Sequence, residues 1–236
     1  MSKLFLISVH KSGTNMLTQA IGGSHQQIDG KVNRDEIHPH PETVKAIQDF
    51  TRFGRSHLPY DPGYVKALSE ADGKGIFLYR DPRDCIVSWA HYADDVKGYK
   101  GFINFKVGED TRLSDLSISE RIDEIINVAK FEYGRYVDWL DTPDDLIYKM
   151  TYEDMLYRRK ETFRDLIDWM GSDLISVLNT EFDCSKPQHM IQRIDPANCN
   201  TYRKGVSGDW KNHFTEEQKL RFWYEMGDIM DRMGYD

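Results

Sequence analysis

Three short, mainly apolar runs, each closed by a polar loop, constrain the fold of this chain more than any other feature. They lie at residues 4–9, 75–79 and 146–150, and each is typical of a buried strand. Apolar residues at helical spacing predict helices at residues 14–21, 42–50, 83–93, 119–140, 161–170 and 215–233, the last opening on a capping box. Strands that alternate with helices predict an α/β fold, in which helices cover both faces of a central, mainly parallel sheet.

The length of the chain, 236 residues, fits one such domain better than two. Its residues are 39% hydrophobic and 12% aromatic, which is enough to bury one sizeable core. The sequence shows no internal repeat, low-complexity segment or linker. We therefore expect a single domain over residues 1–236.

Charge and cysteine content restrict the partners and the compartment. A formal net charge of -8 argues against a nucleic-acid surface, because polyanion binding needs a concentrated positive field. No stretch approaches the roughly 18 apolar residues of a membrane-spanning helix, so we expect no membrane partner either. Cys85, Cys184 and Cys199 are too scattered for a disulfide framework and fit a reducing compartment. These features indicate a cytoplasmic protein.

The first strand leads into Lys11-Ser12-Gly13-Thr14, at the end of a parallel sheet where ligands bind. Backbone N–H groups at the start of the next helix favour an anion, and Gly13 permits close approach of the backbone. In the nucleotide loop G-x-x-x-x-G-K-[ST] the lysine follows the last glycine, whereas Lys11 precedes Gly13. The tetrapeptide alone is equally consistent with a helix cap, by Ser12 or Thr14, beside a surface lysine.

Two further segments have cations where strands or loops end. Arg80 closes the second strand and Ser88 lies one to two turns into the next helix, so the two could hold a phosphate. Arg83 and Asp84, between them, could equally be a solvated pair. The loop at residues 202–214 combines two cations and two glycines before a helix, a composition typical of phosphate-enclosing loops.

Together these segments resemble the sulfotransferases that use 3′-phosphoadenosine 5′-phosphosulfate (PAPS), specifically the cytosolic type. The run R-K-G-x-x-G-D-W-K-N-H-F at residues 203–214 is the most specific element, and the resemblance extends over residues 4–222. It implies a P-loop-like three-layer domain that transfers a sulfuryl group from PAPS to a hydroxyl or amine of a small-molecule acceptor. Adenosine 3′,5′-bisphosphate (PAP) would be the product.

The resemblance assigns donor-binding residues by position. Lys11, Ser12, Gly13, Thr14 and Asn15 would hold the 5′ side, and Arg80, Ser88, Arg203, Lys204 and Gly205 the 3′-phosphate. Tyr152, in a segment similar to the family's Y-E-D-M, would contact the adenine. Met16 stands where the family often has an adenine-stacking tryptophan, and the second stacking position falls near Pro187.

The catalytic residues implied by the resemblance are His57, Lys11 and Ser88. Residues 55–59, Arg-Ser-His-Leu-Pro, resemble the family's K-T-H-L-P, whose histidine is the base. An imidazole titrates near neutral pH, so His57 could take the acceptor proton. Lys11 would act at the bridging oxygen of the departing bisphosphate. Arg55 replaces the family's usual lysine.

We expect no metal, because a sulfuryl group carries less negative charge than a phosphoryl group and protein cations can stabilise its transfer. Arg80 stands where a P-loop NTPase places an acidic metal-holding residue. His38 and His40 form an H-x-H pair, but without a third nearby ligand such a pair is most often a solvated loop.

Other interpretations remain open at this point. The chain could be a catalytically silent PAP- or PAPS-binding module, and a P-loop kinase is disfavoured by the order of lysine and glycine. A homodimer is possible, but the family's dimer segment is incomplete, since Lys211 and Thr215 match whereas Glu216 and Leu220 do not. Residues 92–110 could form a lid over the acceptor.

Overall fold

A computed structural model describes residues 2–22, 26–27, 40–95, 106–107, 111–178, 183–199 and 202–236. The strands are β1 (Lys3–Ser8), β2 (Gln26–Gln27), β3 (Phe53–Ser56), β4 (Gly73–Tyr79), β5 (Lys106–Val107), β6 (Thr111–Arg112) and β7 (Ile147–Thr151). The helices are α1 (Thr14–Ile21), α2 (Pro41–Asp49), α3 (Pro62–Glu70), α4 (Pro82–Asp95), α5 (Ile118–Gly134), α6 (Tyr152–Tyr157), α7 (Arg159–Leu178), α8 (Pro187–Gln192) and α9 (Glu216–Met233). Short 3₁₀ turns lie at Leu113–Asp115, Val137–Asp141, Pro196–Asn198 and Asp209–Asn212.

The chain divides into two compact units. The first comprises Met1–Arg80 and Asp138–Tyr202, and the second Asp81–Val137 and Arg203–Asp236. Within the described residues, no helix is both long and apolar enough to cross a membrane. The single-domain expectation stays a prediction.

The first unit contains a five-stranded sheet in the order β2-β3-β1-β4-β7, and every neighbouring pair is parallel. β1 lies at its centre, where Leu6 pairs with Arg55 of β3 and with Ile76 of β4. This arrangement confirms the predicted α/β fold with a parallel sheet.

Helices cover both faces of this sheet. Successive side chains of β1 point to opposite sides, so its apolar residues must be buried on both. Leu4 and Leu6 belong to one buried cluster with residues of α1, α6 and α7. Phe5 faces the other side, where its ring lies 5.4 Å from that of Phe50, just after α2. Phe77 of β4 lies on that side too, with its ring 6.5 Å from Trp139.

β3 was not among the predicted strands, although it leads directly to His57. Its sequence, Phe-Gly-Arg-Ser, has no apolar run, and pairing with β1 holds it in the sheet. Gly54 is required there, since an added Cβ would lie 2.8 Å from the ring of Phe5. α3 was also not predicted; it begins at the Asp61 cap, whose carboxylate accepts a hydrogen bond from the Gly63 N–H at 2.7 Å.

One predicted helix end was wrong, and another is confirmed. The helix expected at residues 119–140 ends at Gly134 and is followed by a 3₁₀ turn. The helix expected at residues 161–170 is the first part of α7, and its predicted end is confirmed by Gly171, whose φ of 71° and ψ of 173° interrupt the helical backbone before it resumes to Leu178.

The second unit is built on α4, α5 and α9. Arg121 of α5 is 5% exposed, and its guanidinium donates to the carbonyls of Ala90, Ser114 and Leu116 at 2.8–2.9 Å. The capping box predicted at the start of α9 is confirmed, with reciprocal bonds between Thr215 and Gln218.

Candidate active site

Four neighbouring strands of the first unit each lead, at their carboxyl ends, into a predicted site residue. In sheet order, β3 is followed by His57, β1 by the loop containing Lys11, β4 by Arg80, and β7 by Tyr152. Because parallel strands end at the same edge, the sheet itself gathers these residues.

The loop after β1 is folded tightly around Ser12. The Ser12 hydroxyl donates to the carbonyls of Val9 at 2.5 Å and Leu78 at 3.2 Å, and the side chain is fully buried. Lys11 and Gly13 both have positive φ, 65° and 93°. The hydroxyl of Ser12 thus supports the loop, and its predicted contact with the donor stays a prediction.

The helix-cap alternative required Ser12 or Thr14 to cap the N-terminus of α1, and neither residue does so. Gly13 is the N-cap residue, and it has no side chain to accept the first N–H groups of the helix. The Thr14 hydroxyl instead lies 2.9 Å from that of Ser8. A helix start without a side-chain cap favours an anion, and anion binding at α1 stays a prediction.

Gly13 lies directly against the ring of Tyr152. A Cβ added at residue 13 would be 2.5 Å from Cδ2 of that ring, well inside van der Waals contact. Both the positive φ and this contact exclude a side chain, so glycine is the residue that fits here.

Arg80 joins the loop to Tyr152. Its Nη1 donates to the carbonyl of Lys11 at 3.2 Å, and its guanidinium stacks on the Tyr152 ring, 4.2 Å from the centroid. Arg80 is 6% exposed and Tyr152 7% exposed. A buried guanidinium at the loop backbone gives this part of the site a fixed positive charge.

His57 is held against the same loop. Its Nδ1 donates to the Ser8 carbonyl at 2.8 Å, and its ring lies against that of His10, with centroids 3.9 Å apart and the planes tilted by 30°. Burial lowers the pKa of His57; the bond to Ser8 raises it, and the charges of Arg55 and Lys11 lower it further. The net pKa lies below the ordinary value, so the neutral form predominates near pH 7.

The remaining predicted residues of the first unit take other positions. Asn15 accepts a hydrogen bond from Arg55 at 3.1 Å. Met16 is partly buried against the core cluster, and Pro187 occupies the first turn of α8. The assignment of Met16 and Pro187 to the two adenine-stacking positions stays a prediction.

The second unit holds Ser88, Arg203, Lys204 and Gly205. Ser88 lies half-buried on α4, and Gly205 has a φ of 65°. Arg203 and Lys204 both pair with Asp209, at 2.7 Å and 2.9 Å. The two predicted phosphate cations therefore meet at one carboxylate.

The alternative of a solvated Arg83–Asp84 pair was wrong. Asp84 is 1% exposed, and its carboxylate accepts the N–H groups of Gly208 at 2.6 Å and Trp210 at 3.0 Å. Arg83 pairs with Asp81 at 2.9 Å and stacks over Trp210 at 4.1 Å.

Ser8, Asp84 and Asp209 are the site-supporting residues that the sequence did not reveal. The two aspartates lie inside segments already singled out, but only their contacts in the structure reveal what they do.

The suggested lid falls largely outside the described residues, at 96–105 and 108–110. In the part of the chain that the structure describes, no group of three or more His, Cys, Asp or Glu side chains could hold a metal ion.

The fold and the site define an α/β protein in which the central strand of a parallel sheet leads through a glycine-containing loop into a helix. A family model described as "Sulfotransferase domain" matches residues 1–234. The chain belongs to the sulfotransferase family, an enzyme class of transferases whose donor is PAPS.

Several characterised proteins are similar over most of their length. Sulfotransferase 2A1 of Homo sapiens is 26% identical over 93% of this chain and 81% of its own. Sulfotransferase 1C2 of Rattus norvegicus is 28% identical over 93% of this chain and 80% of its own.

Solved structures show the same fold. Mouse sulfotransferase SULT7A1 complexed with PAP has a TM-score of 0.62 at 18% identity, covering 97% of this chain and 84% of its own. Retinol dehydratase in a complex with retinol and PAP has a TM-score of 0.58 at 16% identity, covering 97% and 81%.

Proposed function

We propose that the protein transfers the sulfuryl group of PAPS in line to a hydroxyl or amine of a small-molecule acceptor, with His57 as base. The observation that carries this proposal is the hydrogen bond from His57 Nδ1 to the carbonyl of Ser8. It ties the base to the strand that leads into the anion loop, so base and loop belong to one rigid edge.

The bond also selects the reactive nitrogen. Nδ1 carries the proton that it donates to Ser8, so Nε2 of the neutral ring has the lone pair. In the proposed step the acceptor proton passes to Nε2 while the acceptor oxygen or nitrogen bonds to sulfur. The bond from sulfur to the bridging phosphate oxygen breaks, and the electron pair stays on that oxygen.

Charge on the departing oxygen is stabilised, in this proposal, by Lys11 and by the N–H groups at the start of α1. Arg80 and Tyr152 contribute a charged and an aromatic surface beside the loop. Ser88, Arg203, Lys204 and Gly205 are proposed to bind the 3′-phosphate, as the resemblance implies.

Calorimetric titration with PAP tests the donor assignment. We expect one PAP molecule to bind per chain in the presence of EDTA, because protein cations alone hold the phosphates. ATP with Mg²⁺ serves as the comparison and should bind more weakly, since it has no 3′-phosphate. Absence of binding at millimolar PAP would rule the proposal out.

A further inference from the structure

Asp209 is a buried carboxylate at the centre of the loop at residues 203–214, which we call the cation loop. Its side chain is 4% exposed, and its oxygens accept hydrogen bonds from Arg203 Nη2 at 2.7 Å and from Lys204 Nζ at 2.9 Å and 3.1 Å. A carboxylate leaves water at a large cost unless it is paired, so both cations help to stabilise the buried charge.

Two further side chains complete the surroundings of Asp209. Asn212 donates from Nδ2 at 3.2 Å, and His213 Nε2 lies 3.3 Å from Oδ2. Burial alone would raise the pKa of the Asp209 carboxyl, but the hydrogen bonds from Lys204, Arg203 and Asn212 hold the pKa well below its usual range. The carboxylate is therefore a permanent negative charge at physiological pH.

The backbone of the cation loop is fixed by a different carboxylate. Asp84 accepts the N–H groups of Gly208 and Trp210, and Arg83 stacks on the Trp210 ring. Loop backbone and cation side chains thus have separate supports. Removing the charge of Asp209 should release the side chains of Arg203 and Lys204 while the Asp84 bonds keep the backbone in place.

The two cations are more exposed than the carboxylate that they share. Asp209 is buried, whereas the side chains of Arg203 and Lys204 are 22% and 49% exposed. One carboxylate beneath two cations leaves an excess of one positive charge toward the surface. A guanidinium has five N–H donors and an ammonium three, so both can hold Asp209 and an external anion together.

We propose that Asp209 is a positioning residue that holds Arg203 and Lys204 ready for the 3′-phosphate of the donor. This inference rests on the proposed function, because it names the ligand of the cation loop. Ordering two long, flexible side chains before binding removes an entropy cost that the ligand would otherwise meet.

The isosteric variant Asp209→Asn tests this, with PAP and adenosine 5′-monophosphate as the two ligands in calorimetry. Asp209→Asn should raise the Kd for PAP about tenfold, the cost of re-ordering two side chains, and leave the Kd for the monophosphate unchanged. Asp123→Asn, which removes a carboxylate paired with Arg221 in the same unit, is the matched control and should change neither Kd.

Each other result has a defined meaning. Equal weakening of both ligands would show a general structural role. An unchanged or lower Kd for PAP would show that the carboxylate is dispensable or competes with phosphate. Either result overturns the role of Asp209 but leaves the proposed function in place. If the unmodified protein binds no PAP, the proposed function fails and the inference with it.

A second variant covers the case in which Asp209→Asn does not fold. Asp209→Glu keeps the charge but displaces it by one methylene, so it should raise the Kd for PAP selectively and by a smaller factor. Wild-type affinity for PAP in Asp209→Glu would contradict a positioning role.

Discussion

The His57 imidazole donates from Nδ1 to the carbonyl of Ser8 across 2.8 Å, which leaves Nε2 as the nitrogen that we propose takes the acceptor proton. Ser8 is the last residue of β1 and is fully buried, so the acceptor cannot move without disturbing the central strand. The proposed base is therefore oriented by its hydrogen bond to the central strand. A histidine on a mobile loop would have to be ordered at each turnover.

The pH dependence of turnover should report the low pKa of His57. Burial, with the charges of Arg55 and Lys11, keeps the pKa below the ordinary 6.5, so the acid limb of kcat/KM should lie below pH 6.5. Arg55→Gln removes a positive charge that opposes protonation. The pKa of His57 should then rise, and the acid limb should move to higher pH.

The control for that experiment is Arg55→Lys, which retains the charge and should leave the acid limb in place. A full pH–rate profile for each variant provides the comparison. Movement of the limb to lower pH in Arg55→Gln, or no movement, would show that the limb reports another group.

Gly13→Ala should weaken PAP binding at least tenfold and destabilise the protein. The substitution forces a Cβ to 2.5 Å from the Tyr152 ring, at a φ of 93°. Strain at positive φ alone costs about 1–3 kcal/mol, and displacement of Tyr152 adds to it. Urea denaturation and calorimetry measure the two effects.

Gly234→Ala is the matched control, since Gly234 has a φ of 76° and a ψ of 30° but nothing within 4 Å of an added Cβ. It should show the strain alone, with unchanged PAP affinity. Equal loss of stability in the two variants would mean that the contact with Tyr152 has no energetic weight.

Trp139→Phe should destabilise the segment that follows His57. Trp139 Nε1 donates to the Leu58 carbonyl at 2.9 Å, and Trp139 is 1% exposed. Loss of the donor leaves a buried acceptor unsatisfied, which costs about 1–3 kcal/mol in the free energy of unfolding.

Trp169→Phe provides the comparison, because Trp169 Nε1 donates to the Asp144 carbonyl at 2.6 Å in an exposed setting. Water can replace that donor, so this variant should lose less stability in urea denaturation. An equal loss for both tryptophans would contradict the assignment to the buried hydrogen bond.

The parts of the fold that the sequence predicted are those set by local pattern. β1 and β4 carry apolar runs, β7 is mainly apolar around Lys149, and α9 begins on a capping box, so each could be recognised from neighbouring residues. β3 has Gly54, Arg55 and Ser56 in a row, and only its pairing with β1 makes it a strand. Tertiary pairing of this kind leaves no local periodicity.

The candidate site likewise has features that the sequence indicated and features that only the fold reveals. Glycine and cations in the loops after β1 and β4 indicated anion binding, whereas the partners of those cations could not be read from the chain. Arg203 and Lys204 resembled cations available to a ligand, yet the buried Asp209 holds both. Burial of Asp84 depends on its contact with residues 208 and 210, far away in sequence.

Sulfuryl transfer with His57 as base is the proposed function of the chain. Mass spectrometry with isotopically labelled PAPS and a panel of alcohols, phenols, amines and sugars tests it most directly, in the unmodified protein and in His57→Ala. We expect a labelled sulfated product from the unmodified protein and a loss of turnover of about 10²–10⁴-fold in His57→Ala, with PAP affinity retained. Unimpaired transfer by His57→Ala would contradict the role of His57 as base, and PAP binding without transfer to any acceptor would contradict the proposed sulfotransferase activity.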